Sequence, residues 1–404
     1  MLTAFLSGHF EAYRGNYMRP ELASIPESPL VQIATVAEGM VGAIKLCYGE
    51  SDLPTPEFIC RAANEAALAG HTFYTHTAGC HELREAIAAQ VHRLHDVAYK
   101  PAEIMSTVGA SMAIYVAVRA YVGAGDNAVI ITPTYGIFAN AVRMSGGEAR
   151  SVSLDRDGKR FCLDVERVRA AIDDRTRMIV VNSPSNPTGW TINPFEQRAL
   201  YELAVEHDLM LLADEVYERL VFKNTLAPSF APVAGDRKNL IIVNSFSKTY
   251  NMTGWRLGWA QADERTIRTM TSAAEFMTSN PAAMVQQAGI VALRDGETYV
   301  RDVRAHYAAR RAQVTDALAA IPGFSLPAPD GGFYAFARID GLTDSAAFTM
   351  RLLRQNGVAL APGSAFGEGG EGYVRLCFAS TEETLARALD RVRDFMTTAK
   401  APIA

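Results

Sequence analysis

Cysteine is scarce in this chain: Cys47, Cys60, Cys80, Cys162 and Cys377 are the only five among 404 residues. They are odd in number, far apart and form no C-x-x-C pair, which argues against a disulfide framework and a cysteine-based zinc site. No metal site is expected. Basic charge is not in excess either: 39 Lys and Arg stand against 44 Asp and Glu, a formal net charge of −5. The basic residues are scattered, so the footprint that a phosphate backbone requires is missing and no nucleic-acid partner is expected. No apolar run approaches the ~20 residues needed to span a bilayer. The opening stretch "MLTAFLSGHFEAYRGNYMRP" lacks the basic n-region and long apolar h-region of a secretory signal. The expectation is a cytoplasmic protein with no membrane partner. Internal repeats and low-complexity tracts are absent as well.

A chain of this length exceeds the roughly 250 to 300 residues at which single cores stop growing, so two domains are expected. Short β-branched runs, "NAVIIT", "RMIVVN", "LMLLAD" and "LIIVNS", alternate with helical stretches such as "FEQRALYELAVEHD". That alternation predicts βαβ units around a parallel sheet. Each run is followed by a polar or turn-forming cluster: "TPTYG", "SPSNPTG", "DEVY", "SFSK". Ligands of open α/β sheets bind outside the carboxyl ends of the strands, so these clusters should converge on one crevice. From about residue 300 the texture changes to a long helix, short strands and a final helix, an α+β layer of its own. The expected division is an N-terminal segment 1–50 that joins the small domain or covers the crevice, a large domain 51–299 and a small domain 300–404.

Several residues in these clusters are candidates for chemistry, and each also has an ordinary structural reading. Lys248, in "SFSKTYNMTGWRLGW", follows an apolar strand and has an arginine eight positions on. A desolvated lysine near another cation is a nucleophile able to form a Schiff base, whereas most lysines are solvated surface residues. Asp214 ends an apolar strand, where it could keep a pyridinium nitrogen protonated or cap a helix beginning at Glu215. Asn186 in "NSPSNPTG" could donate to a ring oxygen or simply form a turn. Gly109, Ala110 and Ser111 open a helix whose amides could hold phosphate, or make a plain strand-to-helix turn. Arg375 in "VRLCFA" suits a substrate carboxylate, though for a buried arginine a structural ion pair is the commoner reading.

These signals fall in a fixed order at the ends of successive strands, and the set resembles a known family. "NSPSNPTG", "DEVYERL", "SFSKTYNMTGWRLGW" and "VRLCFA" are similar to the signatures of class I/II aminotransferases, fold-type I pyridoxal phosphate enzymes. "GESDLPTP", "YTHTAGCHELREAIA", "GGFYAFARI" and "PGSAFG" extend the likeness from about residue 45 to the C-terminus. The resemblance implies an α/β fold with a mostly parallel central sheet flanked by helices, and a smaller α+β domain.

By the same resemblance the cofactor is pyridoxal 5′-phosphate, bound covalently by Lys248, which also moves the substrate proton. Asp214 would pair with the pyridine nitrogen, Asn186 and Tyr217 would donate to the ring 3′ oxygen, and Tyr135 would stack on the ring. Ala110, Ser111, Ser245, Ser247 and Arg256 would hold the phosphate, with Gly109 shaping the turn. Arg375 would grip the substrate α-carboxylate, with Gly49 and Asn186 nearby. Tyr74 would cross the interface of a homodimer to the neighbouring subunit's phosphate. Cis peptides are implied at Thr132-Pro133 and Asn186-Pro187. The expected activity is ping-pong transfer of an amino group from an L-amino acid to a 2-oxo acid such as 2-oxoglutarate. A lyase or biosynthetic enzyme on the same scaffold is the alternative, favoured less because a tyrosine stands in "DEVY". A pyridoxal phosphate-binding sensor without turnover is a further alternative.

Overall fold

The computed structural model describes residues 20–398 apart from Ser24 and Lys159. Nearly all of the opening stretch read for a targeting signal, and residues 399–404 of the expected small domain, lie outside the described residues.

Seven strands form the central sheet: β1 Ile104–Thr107, β2 Asn127–Thr132, β3 Glu148–Ser153, β4 Thr176–Asn182, β5 Met210–Asp214, β6 Leu240–Ser245 and β7 Gly258–Gln261. Their spatial order is β1-β7-β6-β5-β4-β2-β3. Strands β2 to β6 are parallel, and β7 runs antiparallel to both β1 and β6. The sheet is therefore mostly parallel, as the alternation of apolar runs predicts. Those runs are continuous because both faces are covered. Val129, Ile131, Ile179 and Val181 enter one core, while Ala128, Ile130, Met178 and Val180 enter the core on the other face. The edge strand β3 is only partly buried and carries Glu148 and Arg150, charges that discourage pairing with another strand.

Helix starts are chemically marked. Helix α1, Pro194–Glu206, has a capping box in which Asn193 accepts from the amides of Phe195 and Glu196 while Glu196 accepts from the Asn193 amide, with Pro194 at the first position. Helix α2, Glu264–Glu275, is capped by Asp263 in the same manner, without the reciprocal bond.

A second sheet holds β8 Phe324–Ser325, β9 Tyr334–Ile339, β10 Ala361–Pro362 and β11 Tyr373–Cys377, antiparallel in the order β8-β9-β11-β10. Helices α3 Glu297–Ala319, α4 Ser345–Asn356 and α5 Glu382–Thr398 pack with it around a separate cluster that includes Tyr307, Phe348 and Val392. The N-terminal segment is stitched to this layer. Ile44 and Lys45 pair in parallel with Val358 and Ala359, and the Cys377 amide donates to the Leu46 carbonyl at 2.9 Å. Among the described residues no helix is long and apolar enough to cross a membrane, and no group of three or more His, Cys, Asp or Glu is placed to hold a metal ion.

Candidate active site

Register brings the chemical clusters together. Asn182 and Asp214 are direct neighbours at the carboxyl ends of β4 and β5. Gly258 stands opposite Ser245 on one side and Thr107 on the other. Between these ends and the second sheet lies a cavity of about 330 Å³, a size suited to a small ligand.

Lys248 lines the cavity, and its Nζ donates to the Gly49 carbonyl at 2.6 Å. Burial pushes its amine down from 10.5 to about 8, with Arg375 and Arg256 acting in the same direction and Cys377 and Glu50 opposing them. Asp214 is buried at the cavity wall. Burial raises its carboxyl from 3.8 to about 7, against the Val216 amide and the Lys248 charge. The helix that the sequence also allowed after Asp214 is absent: residue 215 has no regular structure and 216–219 form a turn. Among the described residues the carboxylate accepts a local bond from the Val216 amide at 3.1 Å and no other.

One end of the cavity is built for an anion. Ala110, Ser111, Ser245, Ser247 and Arg256 all line it. Ser245 Oγ donates to Ser247 Oγ at 2.8 Å and accepts from the Ser247 amide at 3.0 Å. Ser245 Oγ also reaches the Leu257 carbonyl at 3.1 Å, so its one proton serves either that carbonyl or Ser247 Oγ. Gly109 lies beneath Arg256 with φ +71°, and a Cβ there would stand 2.3 Å from Arg256 Nη2. Arg256 is itself left-handed, φ 55° and ψ 54°, a strained conformation for a non-glycine residue of the kind that clusters at functional sites. Gly258 completes the close packing, since its Cβ would fall 2.7 Å from the Ala110 nitrogen.

The other end is cationic. Arg375 is 1% exposed. Its Nη1 donates to Asn186 Oδ1 at 2.8 Å, its Nη2 donates to the Cys47 carbonyl, and its Nε is buried without a partner among the described residues. The ring of Tyr334 lies 4.5 Å from the guanidinium and that of Phe366 lies 4.9 Å from it. No carboxylate pairs with Arg375 among the described residues, so the structural ion pair that the sequence allowed is not made there.

The family model for aminotransferase class I and II matches residues 41–392. The chain belongs to the class I and II aminotransferases. An aspartate aminotransferase of Pyrococcus abyssi is 36% identical over 380 residues, 93% of this aminotransferase and 97% of that protein. An aromatic-amino-acid aminotransferase 2 of Thermococcus litoralis is 35% identical over 92% of this chain and 96% of its own. The solved structure of N-succinyldiaminopimelate aminotransferase from Mycobacterium tuberculosis matches with a TM-score of 0.89 at 32% identity, covering 94% of this chain and 100% of that one.

The aminotransferase brings Gly49, Tyr135, Asn186 and Tyr217 to the same cavity wall system as Lys248 and Arg375. Two expected site residues are not on the wall: Gly109 packs beneath Arg256, and Tyr74 is 90% exposed and away from the cavity of its own chain. Cis peptides occur at Thr132-Pro133 and Asn186-Pro187, and also at Ser183-Pro184. Sequence reasoning did not single out Asn182, Cys47, Thr253 or Tyr334, which also line the cavity. Tyr334 lies inside a motif already noticed, "GGFYAFARI", but nothing in its spacing marks the tyrosine rather than its neighbours.

Proposed function

We propose that this aminotransferase binds pyridoxal 5′-phosphate through Lys248 and carries an amino group from an L-amino acid to a 2-oxo acid, with 2-oxoglutarate as acceptor, by a ping-pong sequence. One observation carries the reading. A buried carboxyl, a desolvated amine and a buried guanidinium, from three separate segments, surround one cavity, and the first two titrate near neutrality.

The residues present fit the cofactor. Gly109 leaves room for Arg256, and Arg256 with Ser247 supplies donors for a phosphate. Asp214, held up to about 7 by burial, is matched by a ring cation placed against it. The unpartnered Nε of Arg375 matches a substrate carboxylate. When bound, pyridoxal phosphate supplies the electron sink for the bond broken at the substrate Cα. Lys248, with an amine near 8, takes and returns the proton at that carbon around neutral pH. Tyr217 and Asn186 donate to the ring oxygen, Tyr135 covers the ring face, and Arg375 with Gly49 orients the carboxylate. The proposal extends to a two-fold dimer in the cytoplasm with Tyr74 reaching the partner's phosphate, and to domains 51–299 and 300–404 with segment 1–50 joined to the latter. Relatives named for aspartate and for aromatic amino acids support testing both kinds of donor.

The test is a half-reaction. The protein is loaded with pyridoxal 5′-phosphate, its visible spectrum is recorded, and aspartate, phenylalanine or alanine is added without an acceptor. Conversion of the band, its reversal by 2-oxoglutarate and its absence in Lys248→Ala are expected. Release of ammonia with the band intact would point to lyase chemistry, and a perturbed band without product to a sensor.

A further inference from the structure

The hydroxyl of Tyr334 lies 2.8 Å from that of Tyr217. Both side chains are buried and both line the cavity. Each phenol has one proton, so only one can donate across this contact. Among the described residues the Tyr334 hydroxyl makes no other hydrogen bond. The Gly49 backbone packs against this hydroxyl, since a Cβ on Gly49 would fall 2.6 Å from the Tyr334 oxygen. If Tyr334 gives its proton to Tyr217, the Tyr217 proton is left to point into the cavity, where the proposed cofactor ring oxygen would accept it. In the reverse order the Tyr334 proton has no acceptor among the described residues, and in the proposed placement the ring oxygen loses its donor, a buried unmade donor costing about 1–3 kcal/mol.

Tyr334 also serves the other end of the site. Its ring face lies 4.5 Å from the Arg375 guanidinium, which stacks there while Nη1 is spent on Asn186. The registers of β9 and β11 make this possible, for Tyr334 pairs with Cys377 and Phe336 with Arg375 across the ladder.

We infer that Tyr334 is a positioning residue with two faces: its hydroxyl donates to Tyr217 and thereby aims the Tyr217 proton at the cofactor ring oxygen, while its ring seats the Arg375 guanidinium that receives the substrate carboxylate. The inference rests on the proposed placement of the cofactor against Tyr217. The groups facing the pair are Arg375, Asp214, Cys377 and Tyr135, with Lys248 Nζ 6.0 Å from the centre of the Tyr217 ring. Burial raises both phenols above their ordinary range, so each remains neutral and able to donate.

A donor to the ring oxygen stabilises negative charge there and so favours the unprotonated form of the linkage to Lys248. Weakening that donor raises the pH midpoint of the visible band. Tyr334→Phe, which keeps the ring, removes one neutral hydrogen bond in the chain and should raise the midpoint by about 0.5 to 1 unit. The Michaelis constant for the amino acid should stay within about twofold, because the seat of Arg375 is intact. Tyr334→Leu removes the ring as well and should raise that constant in addition. Tyr217→Phe should shift the midpoint at least as far, and adding Tyr334→Phe to it should shift the midpoint no further, since the effect is transmitted through Tyr217. Thermal melting of each holoenzyme checks that it is folded at the assay temperature.

An unchanged midpoint in Tyr334→Phe overturns the inference, as does a shift that persists in the Tyr217→Phe background. If wild-type protein forms no visible band, or Lys248→Ala keeps it, the cofactor placement itself falls and this inference with it. A normal band and half-reaction with no effect of Tyr334→Phe leaves the placement standing and removes only the role of Tyr334.

Discussion

The Nζ of Lys248 donates to the carbonyl oxygen of Gly49 at 2.6 Å. The two residues lie 199 positions apart, one just past β6 and the other in the segment stitched to the second sheet. The contact holds the amine at the cavity with no carboxylate in contact among the described residues, so burial dominates its titration.

In cofactor-free protein Lys248 should therefore titrate near 8 and not near 10.5. Between those values the folded chain binds fewer protons at this residue than the unfolded chain, so its contribution to stability rises as the pH rises from about 8 to 10.5. Competitive labelling with an amine-reactive reagent, followed by peptide mapping, reads the midpoint directly. A midpoint near that of the exposed lysines would show that the amine is not desolvated.

Asp214 has the opposite dependence. Its folded carboxyl titrates near 7 against 3.8 when unfolded, so its contribution to stability falls as the pH rises from about 4 to 7. Asp214→Asn cannot ionise, and without cofactor it should melt above wild type at pH 8 and close to it at pH 4. Glu215, also raised to about 7 by burial, is common to both proteins and cancels from the comparison. Amino transfer by the variant should collapse, because the ring cation loses its partner. Wild type melting higher at pH 8 without cofactor would contradict the buried-carboxyl argument.

Two glycines separate backbone strain from the anion site. Gly109 and Gly125 both have positive φ, +71° and +89°, but only Gly109 has a neighbour in the way of a Cβ. Alanine in the left-handed region costs about 1–2 kcal/mol at either position. At Gly109 the obstacle is the mobile end of Arg256, so the fold should survive while the guanidinium swings aside. Losing its charge-assisted bonds to phosphate, about 1.5–3 kcal/mol, should weaken pyridoxal phosphate binding about 10- to 100-fold. Gly125→Ala should melt lower with cofactor affinity unchanged, and equal affinity losses in both variants would sink the assignment of the anion end.

Tyr74, 90% exposed on its own chain, should act on the partner's site. Lys248→Ala and Tyr74→Phe should each be impaired as purified homodimers. If the two variants are unfolded and refolded together, half of the dimers are hybrids with one site free of both changes, and activity should recover to about a quarter of wild type. No recovery, with hybrids demonstrated by mass, would place Tyr74 outside the site.

Much of the fold was legible along the chain. The four apolar runs form β2, β4, β5 and β6, and the clusters after them reach one cavity. This worked because a strand buried on both faces must be apolar throughout, and the turn that follows it must be polar. The capping box at Asn193 was equally readable in principle, being a four-residue pattern. The antiparallel β7 and the stitching of Ile44 and Lys45 to Val358 and Ala359 were not, since pairing between distant segments leaves no local period.

The amino-acid sequence by itself determined the four apolar runs that become β2, β4, β5 and β6, the order of Asn186, Asp214, Lys248 and Arg375, and through their motifs the aminotransferase family. Periodicity and turn chemistry act over a few residues, so one chain displays them. Only the tertiary structure decided that the second residue after Asp214 supplies the bond a helix cap would have made, that Arg256 lies over Gly109, and that Tyr334 joins Tyr217 to Arg375. Those facts depend on which side chains two sheets bring face to face, and packing between segments far apart in the chain sets that geometry through distances no local spacing records.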